Sequence, residues 1–97
     1  MSVQDKRLVV ELFGPATRIA GVTEVELELA KSATFRDMMR ALATSYPDMR
    51  GPVIDPGSWS LTPHFFLSLE GRETIREYDR EPQPGARLLL MSAIVGG

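Results

Sequence analysis

Apolar and polar positions alternate along this chain in a way that separates strands from its one long helix. From Arg7 to Phe13, Leu8, Val10 and Leu12 fall on one face and Val9, Glu11 and Phe13 on the other. Both faces are largely apolar, which predicts an interior strand. Gly14-Pro15 closes it, Pro15 to Ala20 suits a short helical turn, and Gly21 ends that turn. Glu24 to Leu29 alternates cleanly, with Val25, Leu27 and Leu29 facing a core and three glutamates facing water. This predicts a half-buried strand near a sheet edge, where outward charge deters edge-to-edge pairing. Residues 1–6 read as a flexible lead.

Thr34 opens the helix. It is a good N-cap, and Asp37 three residues on completes a capping box. Phe35, Met38, Met39, Leu42 and Tyr46 recur at helical spacing and mark the buried stripe, in which the methionines act as core fillers. Pro47 stops the helix. Residues 47–63 carry four prolines and two glycines without periodicity, predicting a long stiff loop with a short strand or turn near Val53-Ile54. Trp59 within it is either a plug over the core or a partner contact, and the cost of exposing its apolar area favours the plug. His64 to Leu69 predicts a third strand, Glu70-Gly71 a tight turn, and Arg72 to Ile75 a short return strand. Tyr78 to Gly85 is rich in turn formers. Ala86 to Ala93 is apolar on both faces and belongs at the centre of a sheet. The most apolar strands, first and last, should be parallel neighbours, with the helix-bearing middle as crossover. The fold class is α+β: one main helix on a small mixed sheet of four to five strands.

Composition narrows the chemistry. At 97 residues the chain is a single domain, 1–97, with residues 94–97 as a flexible tail. There is no cysteine, so disulfides, thiolate metal sites and a side-chain persulfide are excluded, and one histidine excludes a His-rich metal site. His64 itself has no ligating neighbours in sequence and reads as structural. The glutamate row reads as a solvated face. A net charge of −2 gives no basic field for nucleic acid. No run is long and apolar enough for a signal or membrane segment, so the expected location is the cytoplasm.

The chain then ends Ile94-Val95-Gly96-Gly97, directly after the last apolar strand. Two glycines without Cβ atoms make a thin tail that can enter a narrow channel and present its carboxylate to another protein. A frayed terminus is the plainer alternative.

The strand order with this ending resembles the ubiquitin-like β-grasp fold, and within it the MoaD/ThiS sulfur-carrier family. Val10-Glu11-Leu12-Phe13-Gly14 with Ile19-Ala20-Gly21 is similar to the family's opening strand, short helix and glycine. Ala33-Thr34 through Leu42 is similar to its helix. Leu67 to Arg72 matches its hairpin loosely, and Pro84-Gly85 with Gly96-Gly97 matches its close. Three features depart from the pattern and bear on which pathway is served: Gly85-Ala86 where Gly-Asp is usual, Ser92-Ala93 where a proline pair is common, and the longer 47–63 loop.

The resemblance implies a sulfur carrier most like the small subunit of molybdopterin synthase, and not an enzyme by itself. A ubiquitin-activating-like adenylyltransferase would use ATP to join the Gly97 carboxylate to AMP, and sulfur would displace AMP to leave a thiocarboxylate. A sulfur-acceptor enzyme, such as the large subunit of molybdopterin synthase, would take the sulfur. Gly97 would carry the reacting carbonyl, with Gly96 keeping the channel clear. Val95 and Ile94 would pack at its mouth, and Phe13, Leu89 and Met91 would dock the partner through the uncovered sheet face, together with Val9. No bound cofactor and no metal is implied. Two other readings share the fold: a ubiquitin-like modifier joined to lysines through Gly97, and an interaction module in which Gly-Gly is incidental.

Overall fold

The computed structural model describes residues 5–93; the lead 1–4 and the tail 94–97 lie outside the described residues. Two layers build the fold: a five-stranded mixed sheet, and the helices and a two-stranded hairpin that close one of its faces. In chain order the elements are β1 (Lys6–Leu12), α1 (Pro15–Ala20), β2 (Glu24–Leu29), α2 (Phe35–Ser45) and a 3-10 turn (Pro47–Met49). They continue with β3 (Ile54–Asp55), β4 (Ser60–Leu61), β5 (Phe65–Leu69), β6 (Glu73–Ile75) and β7 (Arg87–Ser92). The sheet order is β2-β1-β7-β5-β6, with β3 and β4 pairing apart.

The two strands apolar on both faces sit where that pattern requires. β7 is the middle strand and lies parallel to β1, with Val10 beside Leu88 and Leu12 beside Leu90. The remaining pairs in the sheet are antiparallel. β2 is an edge strand, and its glutamates point to solvent while Val25 and Leu27 are buried.

The core lies between the sheet and α2. Leu8, Val10, Leu88, Leu90 and Leu67 from the strands meet Phe35, Met38, Met39 and Leu42 from the helix, all without solvent exposure. Burying each such side chain contributes about 1.5–3 kcal/mol. The helix begins as its sequence dictates: the Thr34 side chain accepts from the Asp37 N–H, and the Asp37 carboxylate accepts from the Thr34 N–H at 2.9 Å. Gly21 ends α1 in the left-handed region at φ 81°, its N–H donating to the Thr17 carbonyl at 2.7 Å.

One expectation is corrected. Lys6 belongs to β1 and not to a flexible lead: it is 3% exposed, and its ammonium donates to the Ala33 and Pro82 carbonyls, both at 2.8 Å. Two saturated hydrogen bonds make an inward cation tolerable where a solvated one is usual. The 47–63 segment carries the short strand expected near Val53-Ile54 and adds a 3-10 turn and a second short strand. Met49, Val53 and Ile54 are fully buried, and β3 pairs with β4 through a turn in which the Asp55 carboxylate accepts from the Gly57 N–H at 2.8 Å. Trp59, at φ 54°, is partly buried against the core with the Arg50 guanidinium 5.9 Å from its ring centre. The plug reading therefore holds for the buried part of its ring.

Candidate functional site

The site is the sheet face turned away from α2, together with the point where β7 leaves the sheet. Register fixes its composition. On β1 and β7, the pairs Val10–Leu88 and Leu12–Leu90 face the core, so the alternate pairs Val9–Arg87 and Glu11–Leu89 face outward. β5 adds Phe66 opposite Met91 and Ser68 opposite Leu89, while Leu67 opposite Leu90 is buried. Phe13 follows Leu12 past the end of β1, is 39% exposed, and donates its N–H to the Leu90 carbonyl at 3.1 Å.

Phe13, Leu89 and Met91 are thus brought together on one face, and Val9 joins them. Phe66 belongs to the same patch, and reading the sequence did not include it. Its signal was present: consecutive residues of a strand point to opposite faces, so Phe65 and Phe66 cannot both be core. Ile94, Val95, Gly96 and Gly97 lie outside the described residues. What the structure fixes is their point of departure. Ala93 donates its N–H to the His64 carbonyl at 2.7 Å, which holds the chain to β5 up to that residue.

Beside the apolar stripe stands a charged group. The Arg87 guanidinium donates to the Glu11 carboxylate and, at 3.1 Å, to that of Glu24. Its backbone N–H donates to the Glu70 carboxylate at 3.1 Å. These carboxylates, Glu24 foremost, raise the arginine pKa above its ordinary value. Arg7 approaches Glu28 at 3.8 Å across the same edge. The glutamate row is therefore solvated but partly engaged, a feature visible only once the strands are in register. Two carboxylates on one guanidinium leave a net negative charge there, next to an apolar patch. Such a face suits a partner that offers apolar side chains and a basic group.

Among the described residues no three His, Cys, Asp or Glu side chains gather to hold a metal. A concavity of about 550 Å³ between β2 and α2 is lined by Glu26, Glu28, Asp37 and Arg40 among others, without a convergent reactive group. Among the described residues, no helix is long and apolar enough to cross a membrane.

No family profile matches the chain, and no curated protein matches its sequence. Solved structures do. The chain is similar to small archaeal modifier protein SAMP1 from Haloferax volcanii, with a TM-score of 0.80 and 23% identity over 94% of this chain and 99% of that one. It is similar to a candidate subunit 1 of the molybdopterin converting factor from Pyrococcus furiosus, with a TM-score of 0.74 and 20% identity over 92% and 99% of the two chains. Urm1 from Trypanosoma brucei superimposes with a TM-score of 0.72 and 18% identity over the whole of both chains. Identities this low speak for architecture, and the architecture agrees over nearly the full length. The chain has the ubiquitin-like β-grasp fold.

Proposed function

We propose that this chain is a protein carrier whose C-terminal Gly96-Gly97 is activated by a partner and loaded with sulfur. One observation carries the proposal. The middle strand of the sheet, β7, is the last described element; it runs beside an outward apolar face and precedes Ile94-Val95-Gly96-Gly97 in the sequence. A partner gripping Val9, Phe13, Phe66, Leu89 and Met91 gains a fixed origin for the tail, which is what positioning a carboxylate in a separate active site requires.

The chemistry follows from the carboxylate. It is a poor acyl donor, because its leaving group would be oxide. An adenylyltransferase partner joins the Gly97 carboxylate to AMP with release of pyrophosphate from ATP. A sulfur donor then attacks the carbonyl, AMP leaves, and Gly97 holds a thiocarboxylate. This domain supplies no acid, base or metal and acts as the small partner of an enzyme. Molybdopterin formation is the pathway we favour, supported by the likeness to the Pyrococcus furiosus subunit. The cytoplasm is the compartment in which such partners would meet it.

Intact mass spectrometry of the untagged protein from its own host tests this. A mass gain equal to one oxygen replaced by sulfur, localised to Gly97 by fragmentation, is the expected result. Only bare carboxylate, with no adenylate formed when host extract and ATP are added, would sink the proposal and leave an interaction module. Gly96→Val should block loading while the domain stays folded.

The likeness to modifier proteins favours a second outlet from the same adenylate, an isopeptide bond to target lysines. Adduct ladders that survive reduction and carry Gly97 on a lysine would mark it.

A further inference from the structure

Two local rules break at one place on the outward sheet face. Phe13, at 39%, is the one exposed large hydrophobic side chain among the described residues. Just before it in the chain, Glu11 of β1 stands directly across from Glu24 of β2. Like charges placed opposite one another in an antiparallel pair are destabilising. Breaks of this kind gather at functional positions, where the fold elsewhere carries their cost. Compensation on the spot is partial. Arg87 reaches over β1 and donates to both carboxylates, so two negative charges share one positive charge.

The geometry leaves acceptors over. Both bonds from Arg87 end on the Oε2 atom of each glutamate, and neither Oε1 accepts a hydrogen bond among the described residues. The Glu11 and Glu24 side chains keep 33% and 50% of their exposure, which leaves both open to an approaching group. With Leu12, Phe13 and Thr23 they line a groove of about 310 Å³. Ligand sites run roughly 300–1,000 Å³, so this one suits a single long side chain better than a cofactor. Its lining is aromatic and apolar for a stem, and anionic for a head.

We infer that this groove receives an arginine side chain of the partner that grips the outward face. The identity of that partner rests on the carrier reading above; the chemistry of the groove does not. A guanidinium is planar, packs on an aromatic ring, and can donate to two separate oxygens at once. An ammonium is a compact, strongly hydrated point charge and does less with the same lining. One added guanidinium brings the group of Glu11, Glu24 and Arg87 to neutrality and occupies the spare Oε1 atoms. The apolar stripe of Val9, Leu89 and Met91 supplies contact area, and the groove supplies selection. A partner that brought a carboxylate here would meet net negative charge and be rejected.

Nuclear magnetic resonance on the full, isotope-labelled chain tests the groove without any partner. The probes are N-acetyl-arginine amide and its citrulline analogue, which has nearly the same shape and no charge. The arginine probe should move the amide signals of residues 11–13 and 23–24 saturably, and the citrulline probe should not. Glu24→Gln should weaken arginine binding roughly tenfold, the worth of one hydrogen bond to a charged group. Its Tm should match the wild type, because the lost exposed bond to Arg87 is offset by relief of Glu11. Glu11→Gln should behave alike. Equal shifts with citrulline, shifts only elsewhere, or full binding in both variants would overturn the inference. So would a Glu24→Gln protein that loses stability and keeps binding, since Glu24 would then serve Arg87 alone. With host extract and ATP, half-maximal adenylate formation should need roughly tenfold more Glu24→Gln chain than wild type. An equal need in the two proteins would overturn the arginine contact. Probe binding in the groove, beside a total lack of adenylate, would instead refute the carrier reading and leave the groove assignment standing.

Discussion

Lys6 offers the sharpest energetic test of the fold. Its ammonium ties the first strand to two distant segments: Ala33, which precedes the N-cap of α2, and Pro82, in the connection before β7. Lys6→Met keeps the length of the stem and removes both donors. A net hydrogen bond involving a charged group is worth roughly 1.5–3 kcal/mol, so two at the lower figure give about 3 kcal/mol. For a domain of this size, 1 kcal/mol moves Tm by about 4–8 °C, so the variant should melt roughly 12–24 °C lower. Thermal and urea unfolding followed by circular dichroism measure this. Amide exchange should quicken around residues 31–37 and 79–85 before it does in the sheet centre. The pH dependence carries a second signature. Burial lowers the Lys6 pKa below 10.5, partly opposed by Glu81 and Asp37. The unfolded chain therefore holds the proton more tightly, and the cost of burying charge, present in full at neutral pH, is relieved as pH rises toward 10.5. Lys6→Met should lose that relief. An unchanged or higher Tm in Lys6→Met would refute the reasoning, because it would mean that desolvating the ammonium cancels what its two bonds return.

Three further outcomes follow from particular residues. Gly14 stands at φ 59°, ψ −136°, and an added Cβ would meet only the Ser92 Cβ at 3.9 Å. Gly14→Ala should thus cost about 1–3 kcal/mol through backbone strain alone, read from denaturant unfolding, and a neutral result would contradict the strained conformation. Leu90→Ala should cost about 2–5 kcal/mol because Leu90 is fully buried, whereas Leu89→Ala on the open face should cost well under half of that and weaken partner capture instead; the reverse ranking would mean the faces are exchanged. Burial raises the Tyr78 phenol pKa above 10, so its contribution is complete below pH 10 and is lost as pH rises through the folded-state value. Tyr78→Phe should flatten the alkaline fall in stability, and an identical fall in both proteins would remove Tyr78 as its source.

Legibility in the sequence followed the strength of local signals. The double apolar faces of β1 and β7 announce strands of the sheet interior, with one face in the core and the other, carrying Val9, Leu89 and Met91, on the outward patch. Thr34 and Asp37 announce the start of α2 because their reciprocal bonds are made within four residues. Of the β3–β4 hairpin only a short strand or turn near Val53-Ile54 was legible, and its partner β4 was not, since strands of two residues are too short to show a period. Lys6 was misread because its partners, Ala33 and Pro82, are far away in the chain, and a lysine near a terminus ordinarily faces water. For the site, alternation alone places Phe13, Leu89 and Met91 on one face. The same alternation sets Phe66 on the face opposite Phe65, whereas assigning Arg87 to Glu11 and Glu24 requires the pairing register, which no single segment encodes.

The sparing use of lysine bears on which outlet of the adenylate the chain is built for. Under the proposed function, sulfur transfer and lysine conjugation would start from the same activated Gly97 and would differ in which nucleophile arrives first. A carrier that displayed many amines would bring competing acceptors to the adenylating partner each time it docked, and part of the activated material would be lost as inert dimers. Here nine of the eleven basic positions carry guanidinium groups, and one of the two amines is locked between carbonyls. Arg87, at the start of β7 beside the apolar stripe, engages Glu11 and Glu24 with a group that is not a nucleophile. Under the proposed function, a surface so arranged would let a sulfur donor act on Gly97 with little interference from the carrier itself. Replacing exposed arginines by lysine should therefore leave folding intact while shifting product from thiocarboxylate toward carrier–carrier adducts. That shift, read as the ratio of the two masses, separates a surface shaped by the chemistry at Gly97 from one that merely carries positive charge.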